Sequence, residues 1–274
     1  ANAYGLGAVK ITRLFENEGI DFFAVSCIGE AKELREAGIN SRILVMSPFF
    51  ESEIDDYIQN NITPTITDFS RAKAFNEKLL KKNINNYFIH IKIDTGMGRL
   101  GIYWKDALEN ILMINQLENI SIEGLFSHFS SADLLDDFTY EQIDRFKEIY
   151  GHIQKENIDI PIKHISNSSG IIAYQDDFFD ALRPGLVLYG VSPSLEIKQK
   201  INLKTVLTWK SKIIETKNLY PGDTVSYGRT YKVKNKMKIG VVPVGYADGF
   251  FTLNSNNGFV VLNNHKCSIL GRVC

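Results

Sequence analysis

Residues 87–128 contain, in order, YFIHIKID (Tyr87–Asp94), KDALENILMI (Lys105–Ile114) and ISIEGLFSH (Ile120–His128). A short apolar run, an amphipathic stretch of helical period and a second apolar run read as strand, helix, strand. Outward from this unit, apolar runs recur at Phe22–Ser26, Arg42–Met46, Thr63–Ile66, Ile162–Ile165 and Leu182–Tyr189. Amphipathic stretches lie between them at Ala8–Asn17, Glu30–Ala37, Arg71–Leu80 and Tyr140–Ile153. Repeated βα alternation argues for a parallel sheet. Ala1-Asn2-Ala3-Tyr4-Gly5-Leu6-Gly7 reads as a strand-to-helix loop whose own strand precedes residue 1. Counting that strand makes eight βα units, and eight close a (β/α)8 TIM-type barrel. Periodicity does not report closure, so an open doubly wound sheet fits the same pattern.

After Gly190 the pattern changes. Val206–Glu215, Thr224–Val233, Met237–Val244 and Gly258–Leu262 are β-rich, with turns at Pro221-Gly222-Asp223 and Asn263-Asn264. The expected organisation is a barrel over residues 1–192 and an incomplete all-β domain over 193–274.

Lys and Arg total 31 against 32 for Asp and Glu, which gives no reason to expect nucleic acid or an acidic membrane as partner. Lys232, Lys234, Lys236 and Lys238 alternate as on the solvated face of an edge strand. Cys27, Cys267 and Cys274 suggest neither a disulfide framework nor a metal site. No apolar run reaches membrane-spanning length and no leader pattern is present, so a cytoplasmic protein is expected.

In such a barrel, functional groups collect at the C-terminal ends of the strands. Those positions hold Tyr4, Lys92-Ile93-Asp94 with Arg99, His128, Asn167-Ser168 and Arg183-Pro184-Gly185. Asn167-Ser168-Ser169-Gly170 opens a helix and Pro184-Gly185 follows in the next unit, where many barrels bind phosphate. A plain Asn cap and a Pro-Gly turn would account for the same residues.

Five segments resemble the alanine racemase family in order and approximate spacing. They are Ala1–Gly7, Asp94-Thr95-Gly96-Met97-Gly98-Arg99-Leu100-Gly101, Arg183-Pro184-Gly185, Ser226-Tyr227-Gly228-Arg229-Thr230-Tyr231 and Gly245-Tyr246-Ala247-Asp248-Gly249. The resemblance implies pyridoxal 5'-phosphate in a barrel, a C-terminal β domain, and a homodimer with shared active sites. The implied reaction is racemization of L- and D-alanine by two bases, a lysine and a tyrosine, supplying D-alanine for peptidoglycan. In the family signature the cofactor lysine stands directly before Ala-Asn-Ala-Tyr-Gly. Its counterpart would precede residue 1, so the chain is expected to be truncated at both ends and inactive as it stands.

By the same resemblance Tyr227, from the partner subunit, is the second base, and Arg183 meets the pyridine nitrogen. A guanidinium stays protonated, so Arg183 would donate and leave that nitrogen unprotonated. His164 orients Arg183, and His128 extends the network towards Tyr227. Tyr4, Ser168, Tyr246 and the N–H groups of Gly185 and Leu186 match the phosphate contacts, with Asn167 counted among the cofactor residues. Arg99 matches the arginine that meets the substrate carboxylate. Lys92 matches a lysine that is carbamylated in many members, an unmodified lysine paired with a carboxylate being the plain alternative. Three competing readings are a serine or broad-specificity racemase, a pyridoxal-phosphate decarboxylase of basic amino acids, and a non-enzymatic pyridoxal-phosphate barrel protein. Ser226–Tyr231 speaks against the second, and the β domain with Tyr227 and Tyr246 against the third.

Overall fold

Strands β1 (Phe22–Val25), β2 (Arg42–Val45), β3 (Thr65–Ile66), β4 (Tyr87–Asp94), β6 (Ile120–Phe126) and β7 (Ile162–His164) run parallel in chain order in a computed structural model describing residues 2–174 and 178–274. A bridge from Leu44 to Thr63 joins the β1–β2 pair to the β3–β4–β6–β7 ladder. The short β5 (Ile102–Tyr103) pairs with the end of β4. A doubly wound sheet reverses its strand order at a switch point. Here spatial order follows chain order throughout, as in a (β/α)8 barrel. Ala1 and residues 175–177 lie outside the described residues. The chain divides into two compact units, 1–206 and 207–274.

In the first unit, period two decides which strand residues face the helices. Ile89, Ile91 and Ile93 of β4 join the main apolar core, which also holds Phe75 and Leu79 of helix Phe69–Lys81 and Phe146 and Ile153 of helix Phe138–Lys155. The alternate residues His90 and Lys92 are as deeply buried but point into the barrel, where a polar side chain needs partners. Helix Ala8–Asn17 spans the residues read from sequence. Helix Phe69–Lys81 starts two residues earlier than its periodicity suggests, because Asp68 caps it by accepting from Arg71 N–H at 2.9 Å.

The run Leu182–Tyr189 departs from its expected strand. Leu186–Tyr189 is a 3-10 turn, while Asp180 and Arg183 donate their N–H groups to Lys163 and Ser166 carbonyls at 2.8 and 3.0 Å. The next N–H on that side, of Gly185, goes to the Ser168 hydroxyl at 2.9 Å instead of a strand carbonyl, so pairing stops at Arg183.

The second unit consists of three antiparallel pairs: β8 (Glu215–Leu219) with β11 (Met237–Val241), β9 (Thr224–Val225) with β10 (Tyr231–Lys232), and β12 (Phe259–Leu262) with β13 (His265–Ser268). The expected strand Val206–Glu215 forms only from Glu215 onward. Thr224–Val233 is split by a 3-10 turn at Tyr227–Arg229, where Ser226, Gly228 and Arg229 all have positive φ. The alternating lysines span the end of β10, a loop and β11, rather than one edge strand. The turn at Asn263-Asn264 is a two-residue hairpin with both residues at positive φ, the geometry that matches strand twist. Its second strand, His265–Ser268, is too short and polar to read from pattern. Among the described residues, no helix is long and apolar enough to cross a membrane.

Candidate active site

Arg183 is the hub of the polar groups at the C-terminal ends of β6 and β7. Its Nη2 donates to the carbonyls of Ser127 at 2.6 Å and Ile165 at 2.9 Å and lies 3.3 Å from Nδ1 of His128. Its Nη1 bonds Nδ1 of His164. Every nitrogen but one is anchored; Nε is buried and has no hydrogen-bond partner among the described residues. Burial lowers the guanidinium from its ordinary value, yet a guanidinium so bonded remains protonated at neutral pH.

Cations shape the rest of the site. Burial lowers the pKa of His128 to about 3, helped by the charges of Arg183, Lys92 and Arg99. His164 falls well below its usual value for the same first reason, and then because of Arg183, His90 and Lys92. Both rings are therefore neutral near pH 7. Lys92 comes down to about 8, through burial first and then Arg99 and Arg183. Its amine is thus nearer to the neutral, nucleophilic form than a surface lysine is.

These shifts set a sign for the pH dependence of folding. A histidine with a depressed folded value binds its proton more readily when unfolded. Its contribution is complete above the unfolded value near 6.5 and is lost as pH falls from there towards 3. Urea unfolding between pH 7 and 4 should show stability falling by up to about 1.4 kcal/mol per pH unit for each such histidine. Substituting His128 by Gln should flatten the slope; an unchanged slope would contradict its neutral state.

Arg99 is exposed on the loop after β4. Asp94, whose own role was not foreseen, organises that loop. Its carboxylate accepts from the N–H groups of Gly96, Met97 and Gly98 through Oδ1 and of Arg99 through Oδ2, at 2.8 to 3.1 Å. Gly101 is held at φ +121, and a Cβ there would meet Asp94 N at 2.8 Å. The loop closes back on the strand end only because that side chain is absent.

A second cluster forms the expected phosphate region. Ser168 Oγ accepts from Gly185 N–H at 2.9 Å, and Leu186 opens the turn that follows. Tyr4 reaches the same place, since a Cβ on Gly185 would lie 2.4 Å from its hydroxyl. The loop delivering Tyr4 has three consecutive residues, Asn2, Ala3 and Tyr4, at positive φ. Asn2 Oδ1 fastens it to the helix start by accepting from Ala8 N–H at 2.7 Å. Asn167 is committed differently: Oδ1 caps helix Ser168–Ala173 through the Ser169 and Gly170 N–H groups. Those two donors are engaged by the cap, as the Gly185 N–H is by Ser168 Oγ, and the candidate cradle brings together Ser168, Tyr4 and the Gly185–Leu186 turn. Gly185→Ala should push the Tyr4 hydroxyl aside, weakening pyridoxal-phosphate binding about tenfold with thermal stability nearly unchanged. Fluorescence titration and a melting curve check both; unchanged affinity would remove Tyr4 from the cradle.

Tyr227 and Tyr246 belong to the second unit, each in a 3-10 turn and each exposed, Tyr227 by 73%. Two residues outside the sequence reading join the first cluster: His90 bonds His164, and Glu123 bonds His90. Their signal was present as polar residues inside continuous apolar runs.

Residues 1–193 match the family model "Alanine racemase, N-terminal domain" and 206–274 match "Alanine racemase, C-terminal domain". The chain is 42% identical, over its whole length and 72% of the relative's, to an alanine racemase of Halothermothrix orenii. Its structure resembles that of alanine racemase from Clostridium difficile 630, with TM-score 0.91, 35% identity, and coverage of the whole chain and 72% of the other. It also resembles the Bartonella henselae alanine racemase with covalently bound pyridoxal phosphate, with TM-score 0.86 and 27% identity over the whole chain and 74% of the other.

Proposed function

Because this chain belongs to the alanine racemase family, we propose that Arg183, Tyr4, Ser168 and the Gly185–Leu186 backbone hold pyridoxal phosphate. Family members racemize alanine with that cofactor. The observation that carries the residue assignment is the unpartnered, buried Nε of Arg183. A buried donor left alone costs about 1–3 kcal/mol, and the ring nitrogen of the cofactor is the acceptor that fits it. The Ser168–Gly185–Tyr4 cradle suits the phosphate at the other end.

When bound, pyridoxal phosphate supplies the electron sink that lets an amino acid lose its α-proton. The chain's own residues position and protonate. Arg183 would donate to the ring nitrogen and keep it unprotonated. Arg99, on the loop held by Asp94, meets the substrate carboxylate. Lys92, buried near Arg99 and Arg183 and titrating at about 8, is suited to carbamylation, which would turn it into an anion balancing Arg99. Tyr227 carries a proton to or from one face of the substrate, from a second copy in a cytoplasmic homodimer.

The test is alanine in deuterated water with the full-length gene product. Deuterium should enter at Cα with formation of the opposite enantiomer. Negligible exchange would mark a cofactor carrier instead. Serine turning over as fast as alanine would mark a broader racemase, since one hydroxymethyl against a methyl is worth only about 1–3 kcal/mol.

A further inference from the structure

From Arg183 a line of hydrogen bonds runs down the barrel interior to its opposite end. Nε2 of His164 lies 3.0 Å from Nδ1 of His90, and Nε2 of His90 lies 3.2 Å from Oε2 of Glu123. That same oxygen accepts from Arg42 at 2.6 Å. Arg42 sits at the start of β2, stacked over Phe22 at 4.2 Å, beside a cavity of about 580 Å3.

The backbone is shaped around this line. In the β4–β6 ladder Ile89 pairs with Ile122 but His90 pairs with Gly124, so Glu123 is the extra residue of a bulge. Bulges are uncommon in parallel pairs and re-aim side chains. Here the bulge puts Glu123 beside His90, and it switches the core-facing residues of β6 from Ile120 and Ile122 to Leu125. Gly124 completes the arrangement, because a Cβ there would lie 2.3 Å from the His90 ring. Phe126 stacks on His164 at 4.7 Å and 5°, fixing the plane of that imidazole.

Both ends of the line have fixed polarity. A guanidinium can only donate, and a carboxylate can only accept. We propose that Glu123 is a positioning residue for Arg183: through His90 it holds both imidazoles as neutral Nε2–H tautomers, so that His164 always presents Nδ1 to Arg183 as an acceptor. Reversing either ring would set two donors against each other at one end or two acceptors at the other. Burial holds both histidines below their usual value, although Glu123 pulls His90 the other way. Burial raises Glu123, and His90 and Arg42 outweigh it, so the carboxylate end stays charged. The consequence for cofactor binding rests on the reading of Arg183 given above; the tautomers do not.

Long-range proton–nitrogen NMR of histidine-labelled protein reads the tautomers directly, with single His→Gln variants for assignment. His90 and His164 should each show one Nε2–H form. Glu123→Leu should convert His90, and with it His164, to mixtures, and weaken pyridoxal-phosphate binding about tenfold, as loss of a supporting hydrogen bond does. Glu123→Gln keeps an acceptor oxygen for His90 and Arg42 and should restore both readouts. A proton on Nδ1 of His164 in the unaltered protein would overturn the proposal without any variant, as would unchanged tautomers in Glu123→Leu. Tautomers that respond while affinity does not would uphold Glu123 and count against the cofactor role of Arg183.

Discussion

Arg183→Glu should abolish most racemization and redirect what activity remains towards transamination. The side chain lost is the one that, among the described residues, ties Ser127, Ile165, His128 and His164 together. Two buried carbonyls would lose their donor, and a carboxylate would face them and the acceptor nitrogen of His164. Breaking a buried charged network in this way costs about 3–5 kcal/mol, so urea unfolding should show a loss of that size. His164 would have to turn its proton to Nδ1, which sets it against the order imposed from Glu123.

The chemical effect is separable from the structural one. On the proposed assignment, a glutamate at this place would stabilise a proton on the cofactor's ring nitrogen, which Arg183 would exclude. A protonated ring nitrogen is a deeper electron sink, and the α-proton then has competing places to return. Pyruvate formed per alanine inverted is the readout. Arg183→Lys provides the contrast: it keeps the charge but offers three donors without the planar fork. It should lose affinity and stability while leaving the partition near that of the parent. Equal partition in both variants, with an unaltered cofactor spectrum, would sink the role of Arg183.

Strand–helix alternation was legible because each strand is a short run bounded by helical period, and the barrel's order then followed from chain order. The Leu182–Tyr189 strand was misread because its apolar composition is that of a strand, while the Gly185 N–H is taken by the Ser168 hydroxyl and the chain turns at Leu186. In the second unit, strand ends depend on positive-φ turns at Ser226–Arg229, which composition does not announce. Arg183, Ser168, Tyr4 and Arg99 could be named from motifs. His90 and Glu123 could not, because their meeting requires a bulge and a glycine that only tertiary pairing reveals. Asp94 was visible in its motif, but four N–H groups converging on one carboxylate is a property of the folded loop.

Tyr227→Phe should have a large effect on turnover, and a directional one. Positioned proton transfer by one group contributes about 10²–10⁴-fold, and removing the hydroxyl should cost that much for the enantiomer whose proton it takes. The resemblance to the alanine racemase family implies that this enantiomer is L-alanine. Proton transfer at the opposite face should be far less affected, because another base serves it. Net racemization must still satisfy the equilibrium between the two enantiomers, so the asymmetry appears in exchange rather than in the final ratio. D-alanine should continue to exchange its α-proton with deuterated water, while L-alanine should exchange slowly. The substrate isotope effect should rise in the L direction alone, as that transfer becomes rate-limiting. Tyr227 is exposed in its own unit, so the substitution leaves packing intact and folding should change by less than about 0.5 kcal/mol. Equal losses and equal isotope effects in the two directions would exclude a one-face role, and with it the two-base reading of this site.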